Sequence, residues 1–173
     1  TNVFYVTKDG RDANSGRRVA DSKATIKSAV SAASTLPGSV VKVFAGTYVE
    51  NNPIKCGPQV SIVGDSLREV TVVPQNADQD LFHVAPGDLI SDMSFTGTVN
   101  PGKAIIAFDP DAIRYSGQSP YLLNCTNFVT NSIGMKIDGN HAIGPFKSFV
   151  TDSFTQYNQN GIGCSITNEG YAQ

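Results

Sequence analysis

Apolar and polar positions alternate in short runs along most of this chain, the period-2 signature of half-buried strands. Residues 2–6, 40–44, 60–64, 70–74 and 81–84 read this way. From residue 90 a degenerate unit takes over. Ile90-Ser91-Asp92-Met93-Ser94-Phe95-Thr96 returns as Leu123-Asn124-Cys125-Thr126-Asn127-Phe128-Val129 and again as Phe149-Val150-Thr151-Asp152-Ser153-Phe154-Thr155. After a polar turn, each copy leads to a second apolar strand: Ala104-Ile105-Ile106-Ala107-Phe108, then Gly134-Met135-Lys136-Ile137, then Gly161-Ile162-Gly163-Cys164-Ser165-Ile166. A period of roughly 25–35 residues is the range of stacked repeat architectures. A unit of short strands without a helix cannot cover its own apolar side, so it must stack on its neighbours. The expected result is an all-β coil of parallel strands around one core. Ile90, Leu123 and Phe149 are expected to line one interior column.

Only residues 24–33 read as a helix, with Ile26, Ala29, Val30 and Ala33 on one face. Asp21 or Ser22 is the expected N-cap, and Pro37-Gly38 ends the element. Such an amphipathic helix can plug the open apolar end of the first coil. Residues 45–50 are expected to turn a corner. Asn124, Asn127, Asn131, Asn158, Asn160 and Asn168 fall at or near corners, mostly as turn residues, with some stacking as hydrogen-bonded ladders. Residues 109–121 form the longest irregular stretch, where function is expected on a regular scaffold.

Size and composition fit one domain: 173 residues, 40% hydrophobic and 16% charged. The expected organisation is a single unit over 1–173, with the entry strand and capping helix in 1–39 and the coils in 40–173. The ends read as those of a piece cut from a longer protein. A net charge of −2 offers no basic face for nucleic acid. No apolar run reaches the ~18–20 residues of a membrane span, so no membrane insertion is expected. Cys56, Cys125 and Cys164 are odd in number and lack CxxC spacing. They read as free thiols, two of them at inward positions, rather than a disulfide framework.

Phe4-Tyr5-Val6 with Asp9-Gly10 and Asn14-Ser15-Gly16, the capping helix, Val41-Lys42-Val43-Phe44-Ala45-Gly46-Thr47-Tyr48, and Val60-Ser61-Ile62-Val63-Gly64-Asp65 come in a telling order. That order resembles the right-handed parallel β-helix of the pectate-lyase-like superfamily. The run from Phe154 to Ala172 resembles virion structural proteins of large tailed phages, especially T4-like phages of marine cyanobacteria. The resemblance implies a right-handed single-stranded β-helix, a tail-fibre, tailspike or baseplate role, and location in the virion. The expected partners are other virion proteins and host-surface polysaccharide, with a homotrimer in the full-length protein and no cofactor. Because the same scaffold carries lyases, hydrolases and adhesins, two alternatives stand: a polysaccharide-degrading tailspike-type lyase or glycosidase, and a bacterial surface adhesin.

Candidate chemistry is sparse. Two carboxylates about 5–10 Å apart can hydrolyse a glycosidic bond, and Asp78/Asp80 and Asp109/Asp111 are i, i+2 pairs. Arg114 lies close to the second pair, an arrangement similar to the base-and-calcium site of polysaccharide lyases. Asp109-Pro110-Asp111 reads equally as turn chemistry. His83 is expected to face solvent from its strand, and His141 to sit in a turn. No metal-ligand spacing accompanies either one. Asp9, Asp12 and Asn14 are expected to form Asx turns that fasten the entry strand, since the spacing of a calcium loop is missing. Tyr115, Tyr121 and Tyr157 can stack on sugar rings or pack between protomers.

Overall fold

The computed structural model describes residues 1–109, 118–139 and 147–173. In chain order its elements are β1 (Val3–Val6), a 3-10 turn (Val19–Asp21), α1 (Ile26–Ala33), β2 (Val40–Val43), β3 (Gly46–Glu50), β4 (Ile54–Lys55), β5 (Ser61–Gly64) and β6 (Val70–Pro74). They continue with β7 (Phe82–Val84), β8 (Leu89–Phe95), β9 (Ala104–Phe108), β10 (Tyr121–Asn127), β11 (Ile133–Asp138), β12 (Ser148–Gln156), β13 (Ile162–Thr167) and β14 (Tyr171–Ala172). The fold is all-β with one α-helix, and every strand pairing among the described residues is parallel. No described helix is long and apolar enough to cross a membrane.

Two sheets result. The larger runs β1-β2-β5-β8-β10-β12-β14, with β6 joining β3 to β8; the smaller runs β13-β11-β9-β7-β4. β8 explains how the larger sheet is built. Its first half pairs with β5 and its second half with β6, so one bent strand continues two separate ones. The bend sits at Asp92, whose φ is 60°, and it recurs at Asn124 (50°) and Ser153 (59°) on β10 and β12. All three backbones are left-handed, and the Asn124 side chain donates through Nδ2 to Asp92 Oδ1 at 2.8 Å. Asn and Asp tolerate this region because their short polar side chains bond locally. Gly64, at the end of β5, faces the same bend. A Cβ there would stand 2.1 Å from the Asp92 carbonyl oxygen, so no side chain fits.

The register corrects the expected interior column. Ile90 pairs with Leu122, and Leu122 with Thr151. Leu123 is half-buried, and Phe149 lies two positions from Thr151. A left-handed residue interrupts the in–out alternation, so matching apolar positions by eye slips the register. The bend column is the true alignment mark. Phe128 is displaced likewise: Phe95 pairs with Asn127, and Phe128 projects outward.

Residues 45–50 also differ from expectation, since β3 is a full strand against β6 rather than a corner. β9 is buried at every position, as its unbroken apolar run Ala-Ile-Ile-Ala-Phe requires for a parallel strand covered on both faces. The main core is a continuous cluster from Phe4 to Phe149, with Tyr48, Phe82, Phe95 and Ile106 among its largest members, and Ala104, Ala107 and Ile133 form a second, smaller one.

α1 closes the β1 end by burying Ile26, Ala29, Val30 and Ala33. Its N-cap is Thr25, which accepts from the Ser28 amide at 3.1 Å. The Asp21/Ser22 expectation fails because Asp21 is spent in the 3-10 turn. Glu50 of β3 completes the cap: its two oxygens accept from the Ile26 amide (3.1 Å) and the Lys27 amide (2.8 Å). Burial pushes the Glu50 carboxyl above its ordinary value, with the Lys27 and Ile26 amides pulling it back. Asp12 accepts from the Ala24 and Thr25 amides, which ties the entry loop to the helix.

The opposite end differs. Ile162, Cys164 and Ile166 of β13 continue the columns of Ile133, Met135 and Ile137. Yet Ile162 is 54% exposed and Ile166 48%, while their β11 partners are buried. All three cysteines are free, with Cys56 and Cys125 buried and Cys164 exposed.

Candidate functional site

The outward face of the smaller sheet brings together the most chemically varied side chains. Lys55, His83, Ala107, Lys136 and Ser165 are register partners on β4, β7, β9, β11 and β13. Neighbouring strands lie about 4.8 Å apart, so the His83 and Lys136 backbones stand about 10 Å apart with Ala107 between them. Ala107 itself is buried, in a small apolar cluster with Ala104 and Ile133. Asp80, Phe108, Asp138 and Lys147 complete a cleft of about 200 Å³.

His83 is half-buried and held by Asp80, Nε2 to Oδ2 at 2.9 Å, rather than facing open solvent. Asp80 Oδ1 accepts from the Ala104 amide at 2.7 Å. Burial alone would raise the Asp80 carboxyl. The hydrogen bonds from His83 and Ala104, with the charges of His83 and Lys136, outweigh it and hold Asp80 below the ordinary carboxylate range. Asp138 Oδ1 accepts from the Asn168 side-chain Nδ2 at 2.8 Å. Lys147 is only 6% exposed, and its ammonium has no hydrogen bond or ion pair among the described residues.

Asp78 does not join Asp80. The two lie in a turn rather than an extended run, and Asp78 accepts from the Asn100 side chain instead. Asp78 borders a separate open depression of about 530 Å³ beside Asn52. Asn52 there is buried, donates to the carbonyls of Asn76, Gln79 and Asp80, and accepts from the Asn76 amide. Those bonds mark a structural corner.

Asp109 is buried, with Oδ2 3.4 Å from Lys55 Nζ. Its expected partners Asp111 and Arg114 lie outside the described residues, as do Tyr115 and His141. Near Asp109, Asp88 is also buried and accepts from the Val60 amide (2.9 Å) and the Ala85 amide (2.7 Å). Burial pushes its carboxyl up to about 8, and the charge of Asp109 adds to this against the pull of the two amides. Among the described residues no group of three or more His, Cys, Asp or Glu side chains converges to hold a metal ion.

Tyr121 and Tyr157 are 47% and 65% exposed. They occupy opposite ends of the β10–β12 pair, roughly 20 Å apart at ~3.3 Å per residue, and so do not form one platform. Tyr157 stacks instead on Phe128, with ring centroids 5.3 Å apart and an interplanar angle of 11°.

Sequence reasoning missed the grouping of His83 with Lys136 and Lys147. The signal for the first two was the repeat itself, because residues one repeat apart share a column once the register is right. No protein-family model, curated protein or solved structure matches this chain.

Proposed function

We propose that the chain winds as a right-handed single-stranded parallel β-helix and is a structural segment of a phage virion, of tail-fibre, tailspike or baseplate type. Its work is mechanical and adhesive: a stiff rod that displays side chains for host-surface glycans or for other virion proteins. The contrast between the two ends of the stack carries this reading. One end is plugged by α1; the other offers the outer edge of β13 with Ile162 and Ile166 uncovered. A strand edge with an apolar column is the kind of surface on which a further rung adds through main-chain hydrogen bonds. The outward Phe128–Tyr157 stack supplies a lateral contact suited to packing in a homotrimer.

The test applies the purified chain to candidate host cells and to isolated tail structures. Saturable binding to envelope material, with competition against phage adsorption, is expected. A homogeneous monomer that neither joins virion parts nor binds host envelope overturns the reading.

The Asp80–His83 pair beside Lys136 favours a second reading, a polysaccharide lyase or glycosidase of tailspike type. Incubation with host polysaccharide would then release new reducing ends or ultraviolet-absorbing unsaturated ends, and Asp80→Asn would abolish the release. Silence of the wild-type chain on every host glycan removes the enzyme.

A further inference from the structure

The outward side of the larger sheet, ahead of the bend, is unusually apolar. In β1, β2 and β5 buried and half-buried residues alternate, so the half-buried ones face out of the coil. The register sets those of β2, β5, β8, β10 and β12 in two columns. One reads Val40, Ser61, Leu89, Tyr121, Val150; the other reads Lys42, Val63, Ser91, Leu123, Asp152. Only Lys42 and Asp152 bring charge to this strip. Parallel sheets normally have both faces covered, and an apolar strip left open on one marks an interaction surface.

Both columns complement themselves when turned over about β8. Lys42 and Asp152 lie two strands from Ser91 on opposite sides, about 10 Å away each. Val63 and Leu123 lie one strand away, as Ser61 and Tyr121 do from Leu89. A second copy laid face to face, with a two-fold axis along β8, therefore sets each Lys42 opposite the other copy's Asp152. The same operation sets Val63 against Leu123, Val40 against Val150, and the exposed ring of Tyr121 over the small Ser61. The charges are available for this pairing. Asp152 is exposed, and its carboxylate has no hydrogen bond or ion pair among the described residues. Lys42 Nζ stands 3.3 Å from Asp65 and 3.4 Å from the Gly64 carbonyl, which leaves one of its three donors. Packing about a three-fold axis would instead bring Lys42 to Lys42 and Asp152 to Asp152, where like charges repel.

We propose that this strip is a self-association surface, on which a second copy of the chain packs with its coil axis reversed. The contact covers roughly 300 Å² per copy, against about 800 Å² per partner in a standard interface, so the association is weak and concentration-dependent. Phe128 and Tyr157 lie beyond the bend, on another face. This contact therefore adds to lateral packing there rather than replacing it, and it does not rest on the attachment reading.

Sedimentation equilibrium of the whole chain, over a concentration series from about 10 μM to about 1 mM, tests it. The reference is Leu89→Lys, which sets two ammonium groups together on the axis. Wild type should reach twice the mass of that variant at the top of the series. Asp152→Lys removes no contact within the described chain and should raise the dissociation constant on the order of tenfold, because two facing pairs are reversed at once. Adding Lys42→Glu to Asp152→Lys should restore association; the Lys42–Asp65 pair is half-exposed, and the fold tolerates its loss. Equal masses for wild type and Leu89→Lys overturn the proposal and leave the strip to a different partner. A mass ratio of three overturns it in favour of three-fold packing. Association that Asp152→Lys leaves unchanged, or that the double variant fails to restore, overturns the reversed arrangement.

Discussion

Glu50 fastens the helical plug to the strands beneath it, and its removal is the most informative single perturbation of the fold. Its two oxygens take the first amides of α1, Ile26 at 3.1 Å and Lys27 at 2.8 Å, which no turn of the helix itself can satisfy. Glu50 and Ile26 are both buried, so water replaces the lost acceptor poorly. Each buried donor left unpaired costs about 1–3 kcal/mol, giving about 2–6 kcal/mol for the two in Glu50→Ala. Relief of the desolvated carboxylate offsets part of this, so a loss of about 3 kcal/mol is expected. Glu50→Gln keeps one acceptor and should lose about 1–2 kcal/mol. Its deficit should shrink as the pH rises: the folded-state value of the Glu50 carboxyl is raised, so its contribution is largest at low pH and declines as it ionises. Urea denaturation with amide exchange at Ala29 and Val30 reads both effects, because detaching the plug exposes those residues first. A Glu50→Ala chain within about 1 kcal/mol of wild type, with Ala29 and Val30 still protected, would refute the role assigned to this carboxylate.

Other perturbations probe the bend, the buried acid and the thiols. Gly64→Ala drives a methyl into the Asp92 carbonyl and should cost about 2–4 kcal/mol in denaturant melts; a neutral result would mean that β5 and β8 separate freely. At the bend, Asn124→Gly should be nearly silent, whereas Asn124→Val should lose about 2 kcal/mol because a β-branched residue resists left-handed backbone. Equal stability of the two variants would count against the bend column. Asp88 has a folded value pushed up to about 8 against an ordinary value near 4. Its contribution is therefore fully present below pH ~4 and is lost as the pH climbs to ~8, by at most about 1.4 kcal/mol per pH unit. Urea melts across that window should show a slope that Asp88→Asn flattens, and matching slopes in the two chains would sink the assignment. Among the thiols, maleimide should modify Cys164 in the native chain and spare Cys56 and Cys125, whose thiols burial pushes up, the latter to about 12. Rapid labelling of all three would contradict the burial pattern.

Strand positions and the plug were legible because each rests on a local rule. Val3–Val6 and Val40–Val43 alternate, and Ile26, Ala29, Val30 and Ala33 share one helical face. Register was not legible, because it depends on where the backbone turns left-handed. Asp92, Asn124 and Ser153 carry that information, but they look like ordinary polar residues among apolar neighbours. The two-residue strands β4 and β14 are too short to show a period. The cleft was invisible for the same reason as the register: His83 and Lys136 meet only across Ala107, and one slipped residue turns them to different faces. Lys147 follows Pro145 and Phe146 in the sequence, where a lysine reads as a solvated surface charge.

The spacing of the strand partners bears on how such a chain reaches its native state. Val3 pairs with Val40, and no other pairing among the described strands spans a longer stretch of polypeptide. Loop closure is therefore cheap at every step, and no strand must wait for a distant mate. A nascent chain leaving the ribosome can lay each new strand on one already in place, starting from the plugged end. Synthesis and folding would then advance in the same direction, and the sticky edge of a half-finished sheet would be shielded by the next residues to emerge.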